Sequence, residues 1–422
     1  MKKKLICAVD IGTCKIATVV ALLDEEKDKI PKIIGFSIAP SQGIKRGLVI
    51  DIEKATDAIE KSVEKAEKMA GYKIDKAFVS VGGPHISSLN SHGLVAITNP
   101  NQEINEADIG RVIEAAQAVS LSSMRQIIEV IPCDFIVDGQ GGIKNPVGMT
   151  GVRLEVNTHI ITASQTNIKN IQRCFSDLGI EIEGFVFSGL SSAEAVLTDT
   201  EKELGVVLVD IGGGKTDLCL YSEGALLYSS SLPVGGKHVT NDIAVGIRVS
   251  LDSAERIKIF LGKKINQSSM KKRMAEISLS ELRLPEEVEN ISVRTVIDEI
   301  INPRLEEIFK LIYDEIEKSG LIKSIPSGLV LTGGGALTIG IIDIAKKVIG
   351  LPVRVGTPEK VGGLVDEILD PSYATTIGLI LIGKNKMQKD SFEFKSFRKI
   401  WRDFSVGFSI SKLKNLFKQF IP

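Results

Sequence analysis

One stretch of this chain occurs twice, 200 residues apart: AVDIGTCKIATVVAL from Ala8 and LVDIGGGKTDLCLYS from Leu208. Each copy reads as strand, glycine turn, strand. β-Branched residues flank the turn, and glycine supplies backbone conformations that other residues resist. A repeat of this kind requires two halves built on one plan, and at 422 residues the chain is long enough for two or more packed units.

Between the copies, helical apolar spacing over Glu53 to Ala70 is followed by a strand at Lys76 to Val81, so the first half is mixed α/β. From Pro84 to about Thr162 the texture changes to short strands, a helix near Asn105 to Ser120 and the glycine-rich DGQGGIKNPVGMTG, the pattern of an inserted subdomain. A helix from Thr166 to Leu178, the strand IEGFVF and a helix from about Ser191 to Leu197 close the first half. After the second copy come one or two helices over Lys237 to Phe260 and a charged, irregular stretch from Lys263 to Asn290. A long helix near Val293 to Ser319 then leads to the strand of GLVLTGGGA, a further helix and the segment ATTIGLILIG. The expected division is 1–83 with 163–193 as a first core, 84–162 as the insert, 194–228 with 303–383 as a second core and 229–302 as its subdomain. A polar linker, 384–394, and a tail, 395–422, complete it.

Glycine turns bind phosphate through backbone N–H groups that no side chain shields. Two such hairpins facing each other grip one polyphosphate, with Gly12, Thr13 and Cys14 as one jaw and Gly212, Gly213 and Gly214 as the other, continued by Lys215 and Thr216. Asp10 and Asp210, each at a strand end, suit the waters of a Mg²⁺ ion, which prefers oxygen ligands and keeps much of its hydration. A third loop, LTGGGA with Gly333, Gly334 and Gly335, follows a strand and leads towards a helix, as a loop packing on adenosine does. GGGKT is not a Walker loop, because the first glycine of that motif would fall on Val209. Nor is it a dinucleotide fingerprint, since KTDLCLY continues as a strand and not as a helix.

The five cysteines are scattered without a CxxC pair, which fits a reducing cytoplasm, and no apolar run reaches the roughly 18 to 20 residues that span a bilayer. The four histidines carry no distinctive pattern. Residues 395–422 hold seven basic residues and one acidic, leaving 45 basic and 52 acidic in the rest. The acidic body argues against nucleic acid as a partner. In the tail, Phe397, Ile400, Trp401 and Phe404 share a helical face with Lys399 and Arg402 on its flank. Leu413, Leu416, Phe417 and Phe420 repeat the pattern beside Lys414 and Lys418. By residues alone this is either a helix lying in an anionic membrane surface or one that docks on the protein's own body or on a partner.

Together the two phosphate hairpins and the LTGGGA loop resemble the superfamily of actin, sugar kinases and heat-shock chaperones. VGGPHISSLNSHG and IPCDFIVDGQGGIKNPVGMTGVRLE in the insert narrow the resemblance to the FtsA family of bacterial cell-division proteins, over Cys7 to Gly383. The resemblance implies an actin-like fold of two halves with a subdomain inserted in the first and a C-terminal amphipathic helix. It also implies ATP with Mg²⁺ in the cleft, and an adenosine contact through Glu255 and Lys258 of AERIK. It further implies self-association into an actin-like polymer at the cytoplasmic face of the membrane at the division site. There the tail inserts into anionic lipid, the tubulin-like FtsZ filament is tethered through a site within 229–302, and later division membrane proteins are recruited. Two departures bear on catalysis: Lys215 stands where the family's second loop usually has Thr, and Ser188 where chaperone-like relatives carry a carboxylate that positions water. Slow turnover follows, with nucleotide acting mainly as a switch between domain arrangements. The same fold also serves sugar kinases and PilM-like pilus scaffolds. A kinase needs a cleft carboxylate that no motif here identifies, and the basic tail separates this chain from the pilus scaffold.

Overall fold

A computed structural model describes residues 3–24, 30–99, 101–264, 279–286, 292–364 and 368–387. The candidate membrane residues of the tail lie outside these. Among the described residues no helix is long and apolar enough to cross a membrane.

The repeat folds into two sheets of one topology. The first runs in the order Glu181–Phe187, Lys76–Val81, Lys3–Ile11, Lys15–Asp24, Lys32–Pro40, with Gly362–Gly363 added at its edge; the second runs Val353–Val355, Leu329–Thr332, Val206–Ile211, Thr216–Ser222, Ala225–Leu232. In each, a three-strand antiparallel meander lies beside two parallel strands. One face of the first sheet is covered by helix Ile52–Ala70, which lies against strands Lys15–Asp24 and Lys32–Pro40. It is capped by the Asp51 carboxylate on the Lys54 N–H, ends at a left-handed Gly71, and buries Ala55, Ile59, Val63 and Ala66. The second sheet is covered by Asn302–Lys318, whose apolar stripe Leu305, Ile308, Phe309, Ile312 and Ile316 is buried, and by Ile341–Ile349.

The insert is a separate four-stranded sheet, in the order Ser87–Ala96, Arg153–Ser164, Arg125–Val137, Gln140–Ile143, with helix Glu106–Gln117 on one face and its own small core around Val112, Leu154 and Val156. It docks on the edge strand of the second half. Ser88 donates to the Ser229 carbonyl at 2.7 Å and Asn90 to the Leu227 carbonyl at 3.1 Å. His159, 1% exposed, lies 2.7 Å from Asn90 Oδ1 and 2.8 Å from Ser229 Oγ.

Burial pulls the His159 imidazole down to about 4, and His85 is lowered likewise, first by burial and then by Lys215 and Arg125. The folded state holds both rings neutral, so the unfolded chain takes up protons first. Stability is therefore lost as pH falls from the ordinary value of 6.5 towards about 4. Asp210, raised to about 6 by burial, works in the opposite sense. The difference between two chains isolates the histidine: His159→Gln is expected to lower the melting temperature at pH 7 yet flatten its decline towards pH 4. Equal slopes for the two chains contradict this assignment.

Three features differ from the expectation. The crossover helix begins at Ser188, not near Ser191. The chain after the second sheet returns to the first. Gly362–Gly363 pairs with Lys32 and Ile33, and a helix over 374–387 buries Ile377, Ile380 and Leu381 in the first core, although the sequence places 368–383 with the second. Gly378 permits this crossing, because a Cβ there would lie 1.7 Å from the Ser191 carbonyl oxygen. Lastly, 384–387, read as the start of a linker, continue the helix, and Lys386 pairs with Glu129 at 2.7 Å.

Candidate functional site: the cleft between the hairpins

The two glycine turns are superimposable in register. Ile11 pairs with Ile16 and Ile211 with Thr216; Gly12 N–H donates to the Lys15 carbonyl at 3.1 Å and Gly212 N–H to the Lys215 carbonyl at 2.9 Å. They meet tip to tip. A Cβ on Gly213 would lie 2.2 Å from Cys14 Sγ, and one on Gly214 2.9 Å from Thr13 Cγ2.

Between them opens a cleft of ≈ 660 Å³, lined by Asp10, Gly12, Thr13 and Cys14 from one side and by Asp210, Gly212, Gly213 and Lys215 from the other. Glu255, Lys258, Gly333, Gly334 and Gly335 line the same space. Two residues expected there do not. Gly214 packs behind Thr13, and Thr216 is fully buried with its hydroxyl donating to the Val234 carbonyl at 2.8 Å. In a strand, alternate side chains face opposite ways, so Lys215 reaches the cleft and Thr216 the core.

The polar groups are strongly ordered. Asp10 accepts from Ser80 at 2.7 Å, and Asp210 accepts from Ser192 at 2.6 Å and Thr375 at 3.0 Å. Burial raises both carboxyls above the usual range, Asp210 to about 6. The Thr13 hydroxyl is buried and has no hydrogen-bond partner among the described residues. Gly333, at φ +79°, takes a conformation that side chains resist, and a Cβ on it would lie 2.2 Å from Asp210 Oδ1. At the far end, helices Gly236–Ile247 and Leu251–Lys264 bring Thr240 against Glu255 and Lys258. Lys258 reaches Glu255 at 2.7 Å and Thr240 Oγ1 at 2.8 Å.

Several residues of the cleft were not anticipated. Lys15 extends to Ser372 Oγ at 3.0 Å and sits 3.5 Å above the Tyr373 ring; burial brings its ammonium down to about 8. Lys237 donates to the Thr13 carbonyl at 3.3 Å across the cleft. The repeat itself pairs Lys15 with Lys215 and was the signal for the first of these. No local pattern marks Ser372, Tyr373 or Thr375, which arrive by the return of the chain. Backbone N–H groups, a partnerless hydroxyl and ammonium groups around two carboxylates make a receptor for a polyanion, and the Glu255–Lys258 end offers hydrogen bonds to a polar ring or sugar.

A family model described as Cell division protein FtsA matches residues 207–378, and one described as SHS2 domain inserted in FTSA matches residues 83–162. The chain is 39% identical over 384 residues to the cell division protein FtsA of Pseudomonas aeruginosa, covering 91% of this chain and 90% of that one. It is 40% identical over 419 residues to FtsA of Borreliella burgdorferi, covering 99% of each. Among solved structures, a PilM–PilN type IV pilus biogenesis complex aligns with a TM-score of 0.62 at 16% identity, over 90% of this chain and 98% of that one. MreB5 of Spiroplasma citri bound to ADP aligns with a TM-score of 0.51 at 15% identity, over 92% and 98%. At these identities the structural likeness establishes the fold, which is actin-like.

Proposed function

This chain belongs to the FtsA family and acts in cell division, and from that premise we propose that it is an ATP-binding, actin-like adaptor that polymerises on the cytoplasmic face of the membrane and tethers the FtsZ filament there. Recruitment of later division membrane proteins, through the insert, belongs to the same reading. The observation that carries nucleotide binding is the pair of hairpins in matched register closing one cleft with the third glycine loop. Gly12, Thr13, Cys14, Gly212 and Gly213 hold the phosphates, with Lys15, Lys215 and Lys237 compensating their charge. Glu255 and Lys258 take the adenosine. Asp10 and Asp210 are the residues that suit Mg²⁺. No cluster of three or more His, Cys, Asp or Glu is arranged for a metal among the described residues, so the ion would draw its other oxygens from phosphate and water. Bound Mg²⁺ supplies charge neutralisation at the phosphates.

Turnover is slow in this reading. The Ser188 hydroxyl is engaged with the Val81 carbonyl, Asp217 and Lys215, and Asp217 is itself ion-paired with Lys215, so neither is free to orient a water. Nucleotide then acts by its differential contact with the two halves.

The direct test is calorimetric titration of ATP and of inorganic tripolyphosphate. One ATP site per chain is expected. Lys258→Ala is expected to weaken ATP about tenfold, the loss of a charged hydrogen bond, while leaving tripolyphosphate within about twofold. Equal loss for both ligands removes the adenosine assignment, and no ATP binding removes the reading.

A further inference from the structure

Lys15 and Lys215 hold the same place in the two copies of the repeat, but their ammonium groups are satisfied differently. That of Lys215 is ion-paired with Asp217. That of Lys15 is in no ion pair among the described residues; it donates to Ser372 Oγ at 3.0 Å and sits 3.5 Å above the centre of the Tyr373 ring. A neutral hydroxyl and a ring face leave an ammonium, which has three donors, with capacity for further acceptors. Lys15, Ser372 and Tyr373 all line the nucleotide cleft, so those acceptors would come from its occupant. Burial brings the ammonium down to about 8 against the pull of Asp10 and Asp370, as expected of a charge short of compensation.

The ring itself is fixed from both halves. Phe36 of the first sheet meets it edge to face, with ring centres 5.2 Å apart. Two residues before it, the Pro371 carbonyl accepts from the Gly333 N–H of the third glycine loop at 3.0 Å, and the Asp370 carboxylate accepts from the Ser372 N–H at 2.9 Å. Two residues after it, Thr375 donates to Asp210 at 3.0 Å and lies 2.9 Å from Ser192 Oγ. A side chain held by packing on one side and by a bonded backbone on the other can present a neighbour in one geometry.

Resting on the nucleotide reading above, we infer that Tyr373 is a positioning residue for phosphate recognition: its ring carries the Lys15 ammonium on the cleft wall and leaves the remaining N–H donors for a polyphosphate. The ring face attracts the cation without neutralising it, whereas a carboxylate in its place would spend the charge before an anion arrived. Because Lys15 then acts on the phosphates and not on the adenosine, ATP and bare tripolyphosphate depend on Tyr373 alike.

The test is calorimetric titration of ATP and of tripolyphosphate into the full-length chain at neutral pH. Tyr373→Leu is expected to weaken both ligands about five- to tenfold, as for a partly desolvated cation that loses its ring, and Tyr373→Phe to stay within about twofold. In a chain carrying Lys15→Met, Tyr373→Leu is expected to cost less than about twofold further. Tyr373 also packs on the first core, so melting curves accompany each variant. A trifluorinated phenylalanine at position 373 is measured beside Tyr373→Phe, because it keeps the ring's shape while withdrawing its electrons. A loss of about threefold or more relative to phenylalanine is expected, and none in the Lys15→Met chain. Independent losses in the double variant, fluorination without effect, or tighter binding by Tyr373→Leu, in which case the ring competes with phosphate for the ammonium, each overturn the positioning role and leave the nucleotide reading intact. Failure of the unaltered chain to bind ATP overturns both.

Discussion

Gly213→Ala weakens ATP binding by about 10- to 100-fold, and Cys14→Ala in the same chain restores most of it. The added methyl would sit 2.2 Å from Cys14 Sγ, well inside contact distance, while the Cys14 Cβ lies 3.5 Å away and tolerates it. Forcing a methyl into a packed contact costs about 1–3 kcal/mol, and each 1.4 kcal/mol is about a factor of ten in affinity. The cost falls on the arrangement in which the hairpin tips touch. A chain with Gly213→Ala therefore folds and melts close to wild type but holds its halves further apart. Thermal unfolding and ATP titration of the two single variants and the double variant check this. Additive losses in the double variant mean that the hairpins do not press on each other in the binding-competent state.

Deleting the tail is expected to produce an all-or-none loss of membrane binding. Full-length protein is expected to pellet with vesicles of anionic lipid, less with neutral vesicles and less as salt rises, whereas a chain ending at Met387 is expected to stay in the supernatant throughout. The seven basic residues of 395–422 each contribute about 1 kcal/mol near an anionic surface, so half of them engaging amounts to more than a hundredfold in partitioning, beyond the apolar contribution of Trp401 and its neighbours. The cut belongs after Met387. Helix 374–387 is part of the first core, with Lys386 paired to Glu129, and a cut at Gly383 would damage the body along with the tail. Pelleting of the shortened chain with anionic vesicles refutes the anchor.

What the sequence made legible was local and repeated. The DIG turns, the strands beside them and helix Ile52–Ala70 each carry their periodicity and turn chemistry within a dozen residues. The change of texture at Pro84 similarly announced a body with its own core. What stayed hidden was set by long-range packing. Ser188-Gly189-Leu190 has the composition of a loop, yet it lies in a helix packed between the sheets, with the Ser188 hydroxyl held by Val81 and Asp217 from two different sheets. Gly362–Gly363 has no strand signal and pairs only because the chain returns past Lys32. The parity of the second hairpin also mattered. Counting from Asp210, Lys215 and Asp217 share a face and Thr216 takes the other, which is why the lysine and not the threonine belongs to the cleft.

Whether this chain links the division filament to the membrane is decided by a three-component sedimentation of FtsZ filaments, anionic vesicles and this protein with ATP. FtsZ is expected to pellet with the vesicles when the full-length chain is present, and to remain behind when the chain ends at Met387. FtsZ distributing alike with either chain contradicts it.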